Sequence, residues 1–326
     1  MGIIFVTGGT GFVGRNLVAR LIQDGHEVRV LTRNPDRVPV GAQAVVGDLL
    51  EPLAYRRALT GCDWLFHGAA AITFRTDALA QEINVAGTRL LVETAREVGI
   101  KRFIHLSACA VLGVSHTPEQ VLDETATPQL GPEQPYAWTK KLAEDLLLEQ
   151  ARQGMDVRIA RFSTVYGPGD ARMNSGSIIR SVQKGMLFVP PGGTSFIAVL
   201  DLVDGLLAVA ERGRPGESYI LNGGNLTYRE LTGRIAQVLG VAPPRLTLPG
   251  LAYAPLLAMA WVLTRLRQEN PQAVNLVTPA IVREIFHYKY FSTAKAARDL
   301  GWHPQQSLET CVAAAVDWYR TQKLLP

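Results

Sequence analysis

The sequence predicts an α/β protein, a doubly wound parallel sheet with a smaller, mostly helical C-terminal lobe. Three observations carry this. Short β-branched runs alternate with helical stretches through the first half, which is the pattern of βαβ units. The first run leads straight into a glycine-rich turn, VTGGTGFVG, that opens a helix. Beyond Tyr166 the strands thin out and helices joined by prolines take over.

In chain order, IIFVT, EVRVLT, AQAVVG, DWLFHGAA, RFIHLSA and VRIARFS are the expected strands. Helices are expected over Val13 to Asp24, Pro52 to Thr60, Ala78 to Val98 and Pro135 to Gln153, the last with Leu142, Leu146 and Leu148 at helical spacing. VYGPGD reads as a turn, Ile178 to Lys184 as a helix, and GRPGESYILNGGNLTYRELTGRIAQVLG as turn, strand, turn, helix. The expected division is 1–170 for the sheet domain, with 200–224 returning to it, and 171–326 for the second lobe, with substrate bound between the two.

At 326 residues, 47% hydrophobic and 19% charged, the chain suits a large folded core rather than disorder. Its net charge of +4 comes from scattered residues without a Lys/Arg stripe, so no nucleic-acid partner is expected. Cys62, Cys109 and Cys311 form neither a metal-ligand spacing nor an even disulfide set, which points to reduced thiols, a cytoplasmic setting and no metal. The N-terminal MGIIFVTGG reads as a first strand rather than a signal peptide. Leu251 to Thr264 carries no charge but is too short to span a bilayer and is broken by Pro255. A buried or substrate-lining helix is the favoured reading there, with membrane-surface contact the lesser one. The expected partner is a small-molecule substrate, with a homodimer left open.

Gly8, Gly11 and Gly14 sit where a tight turn and close backbone approach would bring a pyrophosphate to a helix N-terminus. A merely tight strand-to-helix turn is the plain alternative. With Thr7 before them, their spacing resembles that of the extended short-chain dehydrogenase/reductases. HGAA at His67 to Ala70, NVAGT at Asn84 to Thr88, the Tyr136 and Lys140 pair, RFSTVYGPGD and FSTAKAARDLGWHP resemble further motifs of that family, in its order and over nearly the whole chain. The resemblance implies a Rossmann sheet that binds NAD(P), with Gly8, Thr10, Gly11, Phe12, Val13 and Gly14 along the phosphates. It also implies Asp48 and Leu49 at the adenine, and Ala69, Phe162 and Thr164 along the rest of the cofactor. Arg33, at the end of the second strand, can grip a 2′-phosphate in a bidentate contact, and no acid stands beside it in the sequence. NADP(H) is therefore favoured, with NAD(H) open and a solvated surface arginine as the plain alternative.

Tyr136 and Lys140 are four residues apart and share a helix face. A nearby ammonium is expected to lower the phenol from its ordinary pKa of about 10 toward proton exchange near neutrality. The family adds a Ser or Thr at the end of the fifth strand, five residues before a glycine. Counted back from Gly113, that position is Ala108, and Ser107 occupies the preceding one. Neighbouring strand residues face opposite ways, so Ser107 replaces Ala108 only through a bulge or shift. Ser107 is kept as a catalytic candidate with Tyr136, Lys140 and Asn84, although alternation predicts that it points away from the nicotinamide. Asn84 resembles a residue that anchors a water relay, and a packing amide is an equal alternative. Three readings stand: a reductase using Ser107 or Thr164 as donor, a slow or specialised enzyme, and a cofactor-bound sensory or structural protein.

Thr164 stands where many nucleotide-sugar enzymes carry Asn in an Arg-x-x-Asn pattern. With the apolar Leu251 to Thr264 segment, this tilts the resemblance toward the dihydroflavonol-reductase-like and 3β-hydroxysteroid-dehydrogenase-like subgroup, which includes hopanoid-associated members. Hydride transfer at a carbonyl or carbinol of a hydrophobic substrate is then expected, with a nucleotide-sugar epimerase or dehydratase as the alternative.

Overall fold

The computed structural model describes residues 1–71, 78–128, 130–268 and 278–325. Six strands appear where the apolar runs predict them: β1 (Ile3–Thr7), β2 (Glu27–Thr32), β3 (Gln43–Val46), β4 (Trp64–His67), β5 (Arg102–Ala108) and β6 (Val157–Phe162). A short β7 (Thr164–Tyr166) follows, then β8 (Phe188–Val189), β9 (Gly193–Ala198), β10 (Ser218–Leu221), β11 (Gly224–Thr227) and β12 (Leu246–Thr247). The main sheet runs β3-β2-β1-β4-β5-β6-β10, and every pair in it is parallel. The order reverses between β1 and β4, and a crevice for a ligand opens at such a reversal along the carboxyl ends of the strands.

Both faces of this sheet are covered, which is why β5 and β6 are buried almost throughout rather than on alternate residues. Helices α1 (Phe12–Gln23) and α7 (Val199–Arg212) bury Leu17, Leu21, Leu202 and Leu206 against Ile4, Ile104 and Leu106 on one face. Helices α2 (Pro52–Leu59), α4 (Gly87–Glu97) and α5 (Pro135–Arg152) close the other over Phe5, Phe103 and Ile159. A further core lies under α6 (Gly176–Gln183), α8 (Tyr228–Leu239) and α12 (Leu308–Thr321). Asp170 anchors that region. Its carboxylate accepts the backbone N–H groups of Asn174, Ser175 and Gly176 at the start of α6 and the hydroxyl of Tyr319 from α12.

Two expectations change. Ala78 to Val98 is not one regular helix: α3 (Ala78–Gln81) passes into a wide π turn over Glu82–Ala86 before α4 begins. The segment read as a buried or substrate-lining helix forms α9 (Tyr253–Gln268), and it is not the buried helix of the first alternative, since from Leu251 to Arg265 only Ala260 is fully buried. Its inner side rests on α10 (Pro279–Phe286), with the Tyr253 and Phe286 rings 5.3 Å apart. The mismatch arises because an uncharged run fixes no face; only packing decides which side meets protein.

Candidate active site

Since all seven strands of the main sheet are parallel, the residues ending β1, β2, β4, β5 and β6 line one edge. The turn after β1 is held by the Gly11 N–H donating to the Gly8 carbonyl at 3.0 Å. Gly8 has φ +73°, and a Cβ there would lie 2.5 Å from the Gly68 carbonyl carbon. A Cβ on Gly14 would lie 2.2 Å from the Gly8 oxygen. No larger residue fits either place without displacing backbone. Gly11 is exposed and caps α1 without any side-chain hydrogen bond, so the first N–H groups beside Thr10, Phe12 and Val13 face the crevice without a side-chain cap. That cradle suits a diphosphate.

Arg33 and Asp48 come together at the ends of β2 and β3. The Arg33 side chain is 80% exposed, with its guanidinium 3.7 Å from the Asp48 carboxylate. An acid therefore does stand beside Arg33, supplied from a neighbouring strand where local sequence shows none. The other Asp48 oxygen accepts the Leu50 N–H at 3.0 Å, and Leu49 is buried against Gly87.

A buried chain of hydrogen bonds ties the crevice together. The Ala69 N–H donates to the Thr7 hydroxyl, which lies 2.7 Å from His67 Nδ1; His67 Nε2 lies 2.9 Å from the Thr88 hydroxyl, which donates to the Asn84 carbonyl. Because the Thr88 proton is committed, Nε2 must carry the imidazole proton and Nδ1 must accept from Thr7. Burial, reinforced by the Lys140 charge, pushes His67 down to about 3, so the ring is neutral as this pattern requires. Asn84 continues the chain from inside the π turn. Its oxygen accepts the Ala71 N–H at 2.7 Å, and its amide donates to the Ala71 carbonyl and to the Thr139 hydroxyl, which donates in turn to the Tyr136 carbonyl. Asn84 thus binds the loop after β4 to the helix that carries Tyr136.

Lys140 is buried on α5, and its ammonium donates to the Leu106 carbonyl of β5 at 2.7 Å. Burial lowers it to about 8, opposed by the Glu144 carboxylate one turn on. Glu144 is itself fully buried and accepts from both Nε and an Nη of Arg161. Burial also pushes Tyr136 up to about 12, so the expected lowering of its pKa is reversed. Desolvation outweighs an ammonium that is committed to a backbone carbonyl.

Ser107 is fully buried and its hydroxyl has no hydrogen-bond partner, so it is not bonded to Tyr136. In register, Ser107 pairs with Arg161 and Ala108 with Phe162. Phe103 belongs to the core under α5, whereas Leu106 belongs to the opposite one. Alternation therefore puts Ser107 on the α5 side and Ala108 on the other. Phe162 is partly buried at the end of β6 and Thr164 is exposed at the start of β7. Sequence reading missed the roles of His67, Thr139 and Glu144. Glu144 was signalled by its spacing of four from Lys140 on one helix, whereas the His67 partners are too distant in sequence to be inferred from it.

Residues 4–222 match the NAD dependent epimerase/dehydratase family. A 3-beta-hydroxysteroid dehydrogenase of Mycolicibacterium neoaurum is 31% identical over 98% of this chain and 92% of its own length. The crystal structure of gox2253 superposes with a TM-score of 0.85 at 30% identity, covering the whole of both chains. DesIV, a dTDP-glucose 4,6-dehydratase from Streptomyces venezuelae solved with NAD and TYD bound, reaches 0.75 at 25% identity over 98% of each chain. With the glycine cradle at the β1 turn and the Tyr136 and Lys140 pair on α5, these likenesses lead to one conclusion: the chain belongs to the NAD dependent epimerase/dehydratase family and is an NAD(P)-dependent enzyme of the extended short-chain dehydrogenase/reductase type.

Proposed function

We propose that the protein is an NADP(H)-dependent oxidoreductase that moves hydride to or from a carbonyl or carbinol carbon of a small hydrophobic substrate. The observation that carries it is the placement of Tyr136 and Lys140 on one face of α5, with Lys140 held against the end of β5. The bound cofactor supplies or accepts the hydride. In reduction, the Tyr136 hydroxyl donates its proton to the substrate oxygen; in oxidation, the phenolate takes the carbinol proton back. Lys140, protonated at neutral pH, stabilises that phenolate and binds the nicotinamide ribose. Gly8, Thr10, Gly11, Phe12, Val13 and Gly14 hold the diphosphate. Arg33 holds the 2′-phosphate, Asp48 and Leu49 the adenine, and Ala69, Phe162 and Thr164 the nicotinamide half. Thr164, exposed beyond β6, is the better candidate for the second donor, because Ser107 is enclosed. The steroid dehydrogenase relative supports a hydrophobic substrate.

The position of α7 and β10 on the main sheet supports the division into 1–170 with 200–224, and 171–326. Three buried free thiols fit a reducing, cytoplasmic setting.

Fluorescence titration with NADPH and NADH tests the cofactor. Tighter NADPH binding that is lost in Arg33→Gln supports the assignment, and equal affinities defeat it. A carbonyl panel followed by NADPH absorbance tests the reaction, with turnover expected to vanish in Tyr136→Phe. Interconversion of a nucleotide sugar without net cofactor change would instead identify an epimerase. Cofactor-induced thermal stabilisation without any turnover would identify a binding protein.

A further inference from the structure

Two segments, 171–200 and 240–268, carry Arg172, Arg180, Lys184, Arg245, Arg265 and Arg267 and not one Asp or Glu. They meet where β8 pairs with β12, Phe188 opposite Leu246. Eight of the fourteen large apolar side chains exposed among the described residues fall on them: Leu187, Phe188, Leu200, Leu246, Leu251, Met259, Trp261 and Val262.

The exposure on α9 has a direction. Ala254, Pro255, Ala258, Met259, Trp261, Val262 and Arg265 face outward, while Leu256, Leu257, Ala260 and Leu263 turn inward. At helical spacing the outward set forms one continuous stripe, apolar up to its last member, the cation Arg265. A soluble monomer gains nothing by presenting Trp261 and Val262, each more than half exposed, to water.

We propose that this face docks on the surface of an anionic lipid bilayer. The apolar side chains enter the headgroup boundary, with Trp261 at the depth an indole favours, and the exposed cations of the two segments, with Arg265 at the end of the stripe, attract acidic lipid unopposed by any acid within either segment. Among the described residues no helix is long and apolar enough to cross a membrane, so the attachment lies along the surface. The proposal rests on exposure and charge and is independent of the reaction proposed above.

Co-sedimentation of the full chain with phosphatidylcholine vesicles, with and without phosphatidylglycerol, tests it. Binding should require phosphatidylglycerol, weaken as salt is raised, and fall by about tenfold or more in the double variant Trp261→Glu, Val262→Glu. Circular dichroism melting checks that this variant folds. The second variant, Arg245→Gln with Arg265→Gln, removes charge without touching the apolar face and should weaken binding by about tenfold. The proposal is overturned if the chain stays in the supernatant with anionic vesicles, or if the glutamate variant binds them unchanged. It is equally overturned if sedimentation velocity shows a dimer that this variant splits, because a second copy then covers the face.

Discussion

Ala108 takes the position at the end of β5 where the family resemblance implies a Ser or Thr. It stands at 7% exposure at the end of β5, while the hydroxyl beside it, on Ser107, is enclosed and unpartnered. A donor aimed at a reacting oxygen is typically worth about two to three powers of ten in rate. Alternation turns Ala108 to the face of β5 away from α5, so Ala108→Ser tests whether the strand end brings this position back to the substrate oxygen: turnover changed by about tenfold or more with NADPH affinity unchanged, measured by steady-state kinetics beside fluorescence titration, would show that it does. Unchanged turnover would mean that it does not, or that Thr164 or another group already serves the oxygen. The vacancy itself could be counted from Gly113 in the sequence. The enclosure of Ser107 could not, because it depends on what packs over that face of β5.

Among the elements, the π turn before α4 is the joint of the site. Regular helical winding is interrupted there, and Asn84 reaches across to both backbone groups of Ala71 and to Thr139 on α5. Asn84→Ala leaves these buried partners unmatched and should destabilise the fold by about 2–3 kcal/mol, read from urea denaturation. If Asn84 only packs, stability falls and the remaining folded enzyme keeps its KM and kcat. If it positions α5, kcat falls as well, even where the enzyme is fully folded. Asn84 was legible as a motif residue, but the π turn was not, since Glu82–Ala86 has the composition of an ordinary helix.

For the whole molecule, pH dependence follows from two buried imidazoles. His67 is lowered to about 3 by burial and then by Lys140; His105 is lowered in the same sense, by burial first and then by Lys140 and His67. Both rings are neutral when folded and titrate near 6.5 when unfolded, so the unfolded chain takes up protons that the folded one refuses. Their contribution is fully present above pH 6.5 and is lost as pH falls below it. At pH 5 the loss from His67 alone is about 2 kcal/mol, and His105 adds to it. Urea midpoints at pH 7 and pH 5 should show the drop. It should shrink in His105→Phe, whose wild-type ring has no hydrogen-bond partner to lose; an equal drop in that variant would remove His105 from the account.

The sequence by itself determined the α/β class, the six strands to Phe162, the glycine cradle, and the spacing that unites Tyr136 with Lys140. All of these are local: a period of two or four residues, or a turn only glycine permits, is written within a few positions of chain. Tertiary structure alone decided that Asp48 meets Arg33, that His67 joins Thr7 to Thr88, and that burial raises Tyr136 instead of a charge lowering it. It also decided that α9 turns Trp261 outward. Each of these depends on which distant elements pack together and how much water they exclude, and such long-range contacts leave no period in the sequence.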